Sequence, residues 1–282
     1  MPALEGHLKS LSTAAPVNDE PQNRIFLWTA PRCISTAFER SVMEVGGGKL
    51  FHEPYTSSYY FGPERISRRY EDQEPDMNES YRAVTERLTA SFPDKDHVFV
   101  KDMAYAVHGR HHMFQEVPGL SGYQHTFLIR HPAKAVASLY KASRNTALTG
   151  WTYFDEAEAG FQDLYDLHQA VSREGRCSPV VVDCDDVLAQ PEEMMQAYCR
   201  AVGLTYKEGM SNWEPGKGHP DWNVWEGWHN GALQSSGFQK KASAEPTHAP
   251  HDVLASLPPE VADLVDRMMP LYQELRSARL MP

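Results

Sequence analysis

Short apolar runs recur along this chain, and each stops at a polar or charged side chain. Ile25 to Thr29 leads into Pro31-Arg32, Leu50-Phe51 into His52-Glu53, His97 to Val100 into Lys101, His125 to Ile129 into Arg130, and Pro179 to Val182 into Asp183. Runs of this kind, alternating with helical segments, predict a parallel sheet with helices on both faces, a three-layer α/β architecture. In such sheets ligands bind beyond the carboxyl ends of the strands. Arg32, Glu53, Lys101 and Arg130 all fall at or just past that edge.

The first run carries the most chemistry. Arg24 to Arg40 reads as a strand, a tight turn and a helix from Thr36, with Thr36 and Glu39 at capping-box spacing. A helix that opens there directs unpaired backbone N–H groups outward, and with Arg32 in the turn the site suits a phosphate or a sulfate. The turn has neither the glycines nor the Lys-Ser/Thr pair of G-x-x-x-x-G-K-[ST], which disfavours an ordinary ATP or GTP hydrolase.

Further helices are expected at Glu79 to Ser91, at Pro132 to Arg144 behind an N-terminal proline, and at Glu192 to Val202 before Gly203. Pro259 to Leu280 reads as an amphipathic helix with Val261, Leu264, Val265, Met268 and Tyr272 on one side and Pro270 as a kink point. Residues 56–75 read as an irregular excursion. Residues 214–250, rich in Gly, Pro, Trp and His, are too long for a plain connection, and their aromatics predict a folded lid. Residues 1–22 predict a mobile tail and 23–282 a single domain.

The formal charge of −11 argues against nonspecific nucleic-acid binding, although a few arginines can still build a local anion pocket. No apolar run reaches the roughly 20 residues of a membrane span, so no membrane partner is expected. Cys33, Cys177, Cys184 and Cys199 have neither metal-site spacing nor disulfide density, which points to a reducing, cytoplasmic setting.

Two segments carry a resemblance to a known family. Pro31-Arg32-Cys33-Ile34-Ser35-Thr36 resembles the 5′-phosphosulfate loop of the sulfotransferases that use 3′-phosphoadenosine 5′-phosphosulfate (PAPS). Pro31, Arg32, Ser35 and Thr36 match, whereas Cys33 and Ile34 depart from the pattern. Ile34 stands where glycine is usual, so either the loop has a negative φ there or the anion sits differently. Leu128 to Tyr140 resembles the family's 3′-phosphate motif, with Arg130 closing a strand and Ser138 eight residues later. A guanidinium forks a phosphate and a hydroxyl adds a hydrogen bond. His131 replaces the commoner aspartate. Val180 to Glu192, followed by Gly203-Leu204, is similar to a late architectural segment.

The resemblance implies a P-loop NTPase-like fold, PAPS as donor and 3′,5′-adenosine bisphosphate (PAP) as product, with a sulfuryl group passed to a hydroxyl or amine of a small molecule. It implies Arg32 at the leaving phosphate, Ser35, Thr36 and the backbone N–H groups of Cys33, Ile34, Ser35, Thr36 and Ala37 around the 5′-phosphate, and Arg130 with Ser138 at the 3′-phosphate. A late loop with Ser236, Gly237, Phe238 and Lys240 stands where the family covers that phosphate. Three residues are candidates for the general base: Glu53, which is favoured, His52 and His108. His52 and Glu53 are adjacent on a strand, so only one is expected to face the site. Lys101 either binds sulfate oxygens or pairs with Asp102 or Glu53. No metal is required, although His108, His111 and His112 form a local histidine cluster. Trp225 or Trp228 can stack on adenine or the acceptor. The acceptor is expected to be amphipathic or cationic. The oligomeric state is not legible. A P-loop-like kinase or hydrolase and a noncatalytic nucleotide-binding protein are the alternatives.

Overall fold

The computed structural model describes residues 22–173, 178–225, 227–238 and 250–282. The expected N-terminal tail, except for Gln22, and Lys240 in the lid lie outside them. Five strands, β1 (Asn23–Thr29), β2 (Lys49–His52), β3 (His97–Met103), β4 (Gln124–Ile129) and β5 (Val180–Asp183), form one sheet in the order β2-β3-β1-β4-β5. All four pairings are parallel. Successive strand residues alternate between faces, and Ile25, Phe26, Leu27 and Trp28 are each fully buried. Both faces of the central strand are therefore covered, as the apolar runs predicted.

The chain leaves β1 toward β2 on one side of the sheet and later crosses to β4 on the other. The carboxyl end of β1 is thus the topological switch point, where a crevice opens between diverging loops. Helix α1 (Ser35–Met43) rises from that point. Helices are also found at Tyr81–Thr89, Pro132–Ala142 and Pro191–Val202, the last closed by Gly203 at φ 70°. The helix Pro259–Ser277 runs through Pro270, and its five predicted apolar residues are all buried.

One segment differs from expectation. Residues 54–61, partly assigned to an irregular excursion, form helix α2 (Pro54–Phe61). Its sequence, Pro-Tyr-Thr-Ser-Ser-Tyr-Tyr-Phe, has few strong helix formers. Its start is secured from elsewhere in the chain. Asp102, fully buried on β3, accepts the backbone N–H groups of Tyr55 (2.6 Å) and Thr56 (3.1 Å) and the Thr56 hydroxyl (2.7 Å). Asp102→Ala strands those donors, and we expect it to lower the unfolding free energy by about 3 kcal/mol in urea titrations, with Asp102→Asn losing about half as much.

Of the segment expected to form a lid, residues 214–225 and 227–238 are described, and Trp225, Trp228, Gly237 and Phe238 line a cavity. Trp222, Trp225 and Phe238 are buried, with a 3-10 turn at Pro220–Trp225 and a short helix at Asn230–Leu233.

Candidate functional site

The turn after β1 is held in an unusual backbone conformation. Arg32 has φ 65° and Ile34, the residue before α1, has φ 53°. A side chain in the left-handed region costs about 1–2 kcal/mol, more when it is β-branched. Of the two alternatives left open at Ile34, the negative φ is not what the chain adopts; Ile34 takes the conformation that glycine would supply.

The loop's carbonyls account for this. Arg130 Nη1 donates to the Arg32 carbonyl (2.7 Å), the Cys184 thiol to that of Cys33 (2.9 Å), and the Phe38 N–H to that of Ile34 (3.0 Å). With its carbonyls engaged, the loop presents the first N–H groups of α1 to the crevice, and no side chain of the preceding residue caps them. The capping box does not form. The helix begins at Ser35, so Thr36 lies within its first turn, and both members of the expected pair have other partners. Thr36 Oγ1 is 3.1 Å from His229 Nδ1, and Glu39 Oε2 contacts His52 Nδ1 at 2.6 Å and Trp222 Nε1 at 3.1 Å.

Arg32 and Arg130 line the same cavity, of about 620 Å³, together with Ser35, Thr36, Ser138 and Glu53. Among the described residues neither arginine makes a salt bridge. Arg32 Nε donates to Ser138 Oγ (3.0 Å), and its Nη1 reaches the Trp228 carbonyl (3.3 Å). Burial, then the neighbouring Arg130 charge, lowers the Arg32 pKa from its usual value. Arg130 Nε is buried without a hydrogen-bond partner. Two adjacent guanidinium groups without a carboxylate, beside an uncapped helix start, make a strong anion site.

The sequence reading placed Ser138 at the far end of a nucleotide from Arg32. Here the two are in contact, Arg32 Nε donating to Ser138 Oγ, so the loop after β1 and the helix after β4 meet at this point. Ile34, Ala37, Gly237 and Phe238 also line the cavity. Cys33 is fully buried beneath the loop. Ser236 sits beside the lining residues Ser235 and Gly237. Trp225 and Trp228 both face the cavity.

Glu53 lines the cavity between β2 and α2. Its φ of 51° breaks the strand alternation on which the expectation for His52 and Glu53 rested, yet only Glu53 of the pair lines the cavity. Their side chains converge, with His52 Nε2 3.6 Å from Glu53 Oε1. Glu53 borders the space, while the His52 side chain is fully buried behind it with both ring nitrogens engaged. Lys101, fully buried, donates to Glu53 Oε1, so of its expected roles the structure displays the ion pair with Glu53.

His108 is not brought to this cavity. It pairs with Asp163 (2.6 Å) at a smaller, separate cleft. The His108, His111 and His112 cluster does not converge as a ligand set. Among the described residues the group whose ligating atoms do converge, within 4.8 Å, is His52, Glu53 and His229. These atoms already serve one another and Lys101, so we read the group as a hydrogen-bonded cluster.

Sequence reasoning missed His229 and Glu39. His52 Nε2 lies 3.0 Å from His229 Nε2, so four residues join in series, Glu39–His52–His229–Thr36. Burial raises Glu39 to about 7, and burial likewise pushes His52 and His229 well below the usual histidine value. The available signal was the His229 beside Trp228 in the aromatic lid.

Among curated proteins the chain is 23% identical to the Arabidopsis thaliana branched-chain-amino-acid aminotransferase-like protein 1, over 90% of this chain and 41% of that protein. It is 29% identical to the sulfotransferase ppzF of Metarhizium majus, over 32% of this chain and 30% of that protein. The chain thus spans less than half the length of either relative. Among solved structures, a sulfotransferase from Alicyclobacillus acidocaldarius aligns at 12% identity, TM-score 0.47, over 91% of this chain and 99% of that one. Mouse sulfotransferase SULT7A1, crystallised with PAP, aligns at 11% identity, TM-score 0.44, over 91% and 86%. The sulfotransferase domain family model matches residues 23–277, nearly the whole chain, and the protein belongs to that family.

Proposed function

We propose that this protein transfers a sulfuryl group from PAPS to a hydroxyl or amine of a small molecule, leaving PAP. The observation that carries the reading is the pairing of Arg32 and Arg130, without a carboxylate partner among the described residues, on one cavity at the switch point. The backbone N–H groups of residues 33–37, with Ser35 and Thr36, would hold the 5′-phosphate. Arg130 and Ser138 would hold the 3′-phosphate, with Gly237 and Phe238 closing over it. Arg32 Nε donates to Ser138 Oγ, which leaves the hydroxyl's own hydrogen free for that phosphate.

Glu53 is the favoured base. It lies at the junction between the anion loops and an aromatic wall that includes Tyr60, Tyr105, Trp151 and Trp225. A hydroxyl resting on that wall meets the carboxylate first. The other carboxylate on the lining, Glu158, is clamped by Arg69 (2.6 Å), and Glu53 faces Lys101. Both charges are matched, so the wall favours an amphipathic acceptor over a cationic one. Among the described residues no helix is long and apolar enough to cross a membrane. Cys33, Cys184 and Cys199 are free and buried, which suits a reducing cytoplasm.

Calorimetric titration with PAP tests the donor assignment. Arg130→Ala should weaken binding about 100-fold, the loss expected for a charge-assisted guanidinium–phosphate contact. A wild-type protein that ignores PAP, or an unimpaired Arg130→Ala, would sink the assignment.

A further inference from the structure

We propose that Glu39, His52 and His229 form a proton relay that sets the direction of the Thr36 hydroxyl, so that an anion entering the loop draws one proton onto Glu39. The proposal rests on the reading of the loop as the donor's phosphate site. It adds positioning residues to that site, since none of the three relay members belongs to the loop.

The relay is a single file of hydrogen bonds. Glu39 Oε2 meets His52 Nδ1 at 2.6 Å, His52 Nε2 meets His229 Nε2 at 3.0 Å, and His229 Nδ1 meets Thr36 Oγ1 at 3.1 Å. Two imidazoles facing one another Nε2 to Nε2 share one proton, so the tautomer of each dictates that of the other. Burial keeps both rings neutral, with one N–H apiece.

Only two arrangements satisfy every link. With Glu39 ionised, the donors run from Thr36 to His229, from His229 to His52 and from His52 to Glu39. The Thr36 hydroxyl hydrogen is then spent inward. With Glu39 protonated, every bond reverses: Glu39 donates to His52 Nδ1, His52 to His229, and His229 to Thr36. The hydroxyl hydrogen is then available to the cavity.

A phosphate offers only acceptors, so it selects the second arrangement. The first holds three mobile protons and the second four. The extra proton comes from solvent, and His229 and Thr36, both lining the cavity, give it a route.

The surroundings let both arrangements exist near neutrality. Glu39 Oε1 is buried without a hydrogen-bond partner, a poor setting for a permanent charge. Burial raises Glu39 to about 7 even though the Lys101 ammonium opposes the shift. The other charged or titratable groups facing the relay are His219 and Asp221 on the lid, Glu53 beside His52, and Arg32 beside His229. Glu53 already matches Lys101. Trp222 donates to Glu39 in either arrangement.

The sign follows from the proton count. Where Glu39 is already protonated, below about pH 7, PAP affinity is independent of this group. Above that, affinity falls toward tenfold per pH unit. Calorimetric titration with PAP at about pH 8, in buffers of different ionisation enthalpy, reads the uptake directly. The wild type should take up close to one proton more than Glu39→Gln, in which the amide donates to His52 permanently and PAP affinity becomes insensitive to pH over this range. Thr36→Val, which removes the hydroxyl end of the chain, should lose the same uptake and serves if Glu39→Gln fails to fold. PAP binding with equal proton uptake in wild type and variant overturns the relay and leaves the donor reading standing. Absence of PAP binding in the wild type overturns the donor reading and the relay with it.

Discussion

Glu53→Gln should reduce turnover about 1,000-fold, while the PAP dissociation constant changes less than about threefold. The acceptor must lose a proton as its oxygen or nitrogen attacks sulfur, and the amide cannot take one. On the proposed reading the donor's phosphates would contact the loops after β1 and β4 instead. The complication is structural. Glu53 also neutralises Lys101, which is fully buried, and a buried charge that loses its partner destabilises a fold by about 3–5 kcal/mol. A fall in activity could then report a weakened fold. The double variant Glu53→Gln, Lys101→Met separates the two, because it removes both charges together. If Glu53 is the base, the double variant recovers thermal stability but not turnover. Single-variant activity within about tenfold of wild type would transfer the role to another group.

The scaffold was legible because it follows local rules. Buried parallel strands must be continuous apolar runs, and each of the five was found within a residue or two. Pro132 marked a helix start and Gly203 a helix end, since their backbone preferences act where they stand. Helix α2 was hidden because its cap is Asp102, a residue from another strand. The anion site was half legible. Arg32 and Arg130 lie at strand ends, and strand ends converge in a parallel sheet. The contact of Arg32 with Ser138 depends on a rotamer and cannot be read from spacing. Glu39 looked like a capping partner because the sequence placed the helix start one residue too late. His229 comes from the lid, where no periodicity marks which residues turn inward. Ile34 shows the opposite case: a departure from the glycine pattern changed the residue but not the backbone, because the loop's carbonyls are held from outside.

The second large effect is expected at Arg32. Arg32→Ala should lower kcat by about 1,000-fold, and Arg32→Lys should recover part of it. When the sulfuryl group departs, charge accumulates on the phosphate it leaves, which the proposed reading puts beside the α1 N-terminus and Arg32. A fixed cation there acts mainly on the transition state, so kcat should fall more than KM rises. Its surroundings suit that task. Arg32 is packed beside a second guanidinium, among the described residues without a carboxylate partner, and burial together with Arg130 depresses its pKa. A cation so placed is poorly compensated in the free protein and gains most when negative charge appears beside it. Its present contacts, the Ser138 hydroxyl and the Trp228 carbonyl, are neutral and easily exchanged for an anion. If Arg32 serves only to bind, the variant should instead show a raised KM with kcat intact. Steady-state kinetics with PAPS varied against a saturating acceptor distinguishes these outcomes.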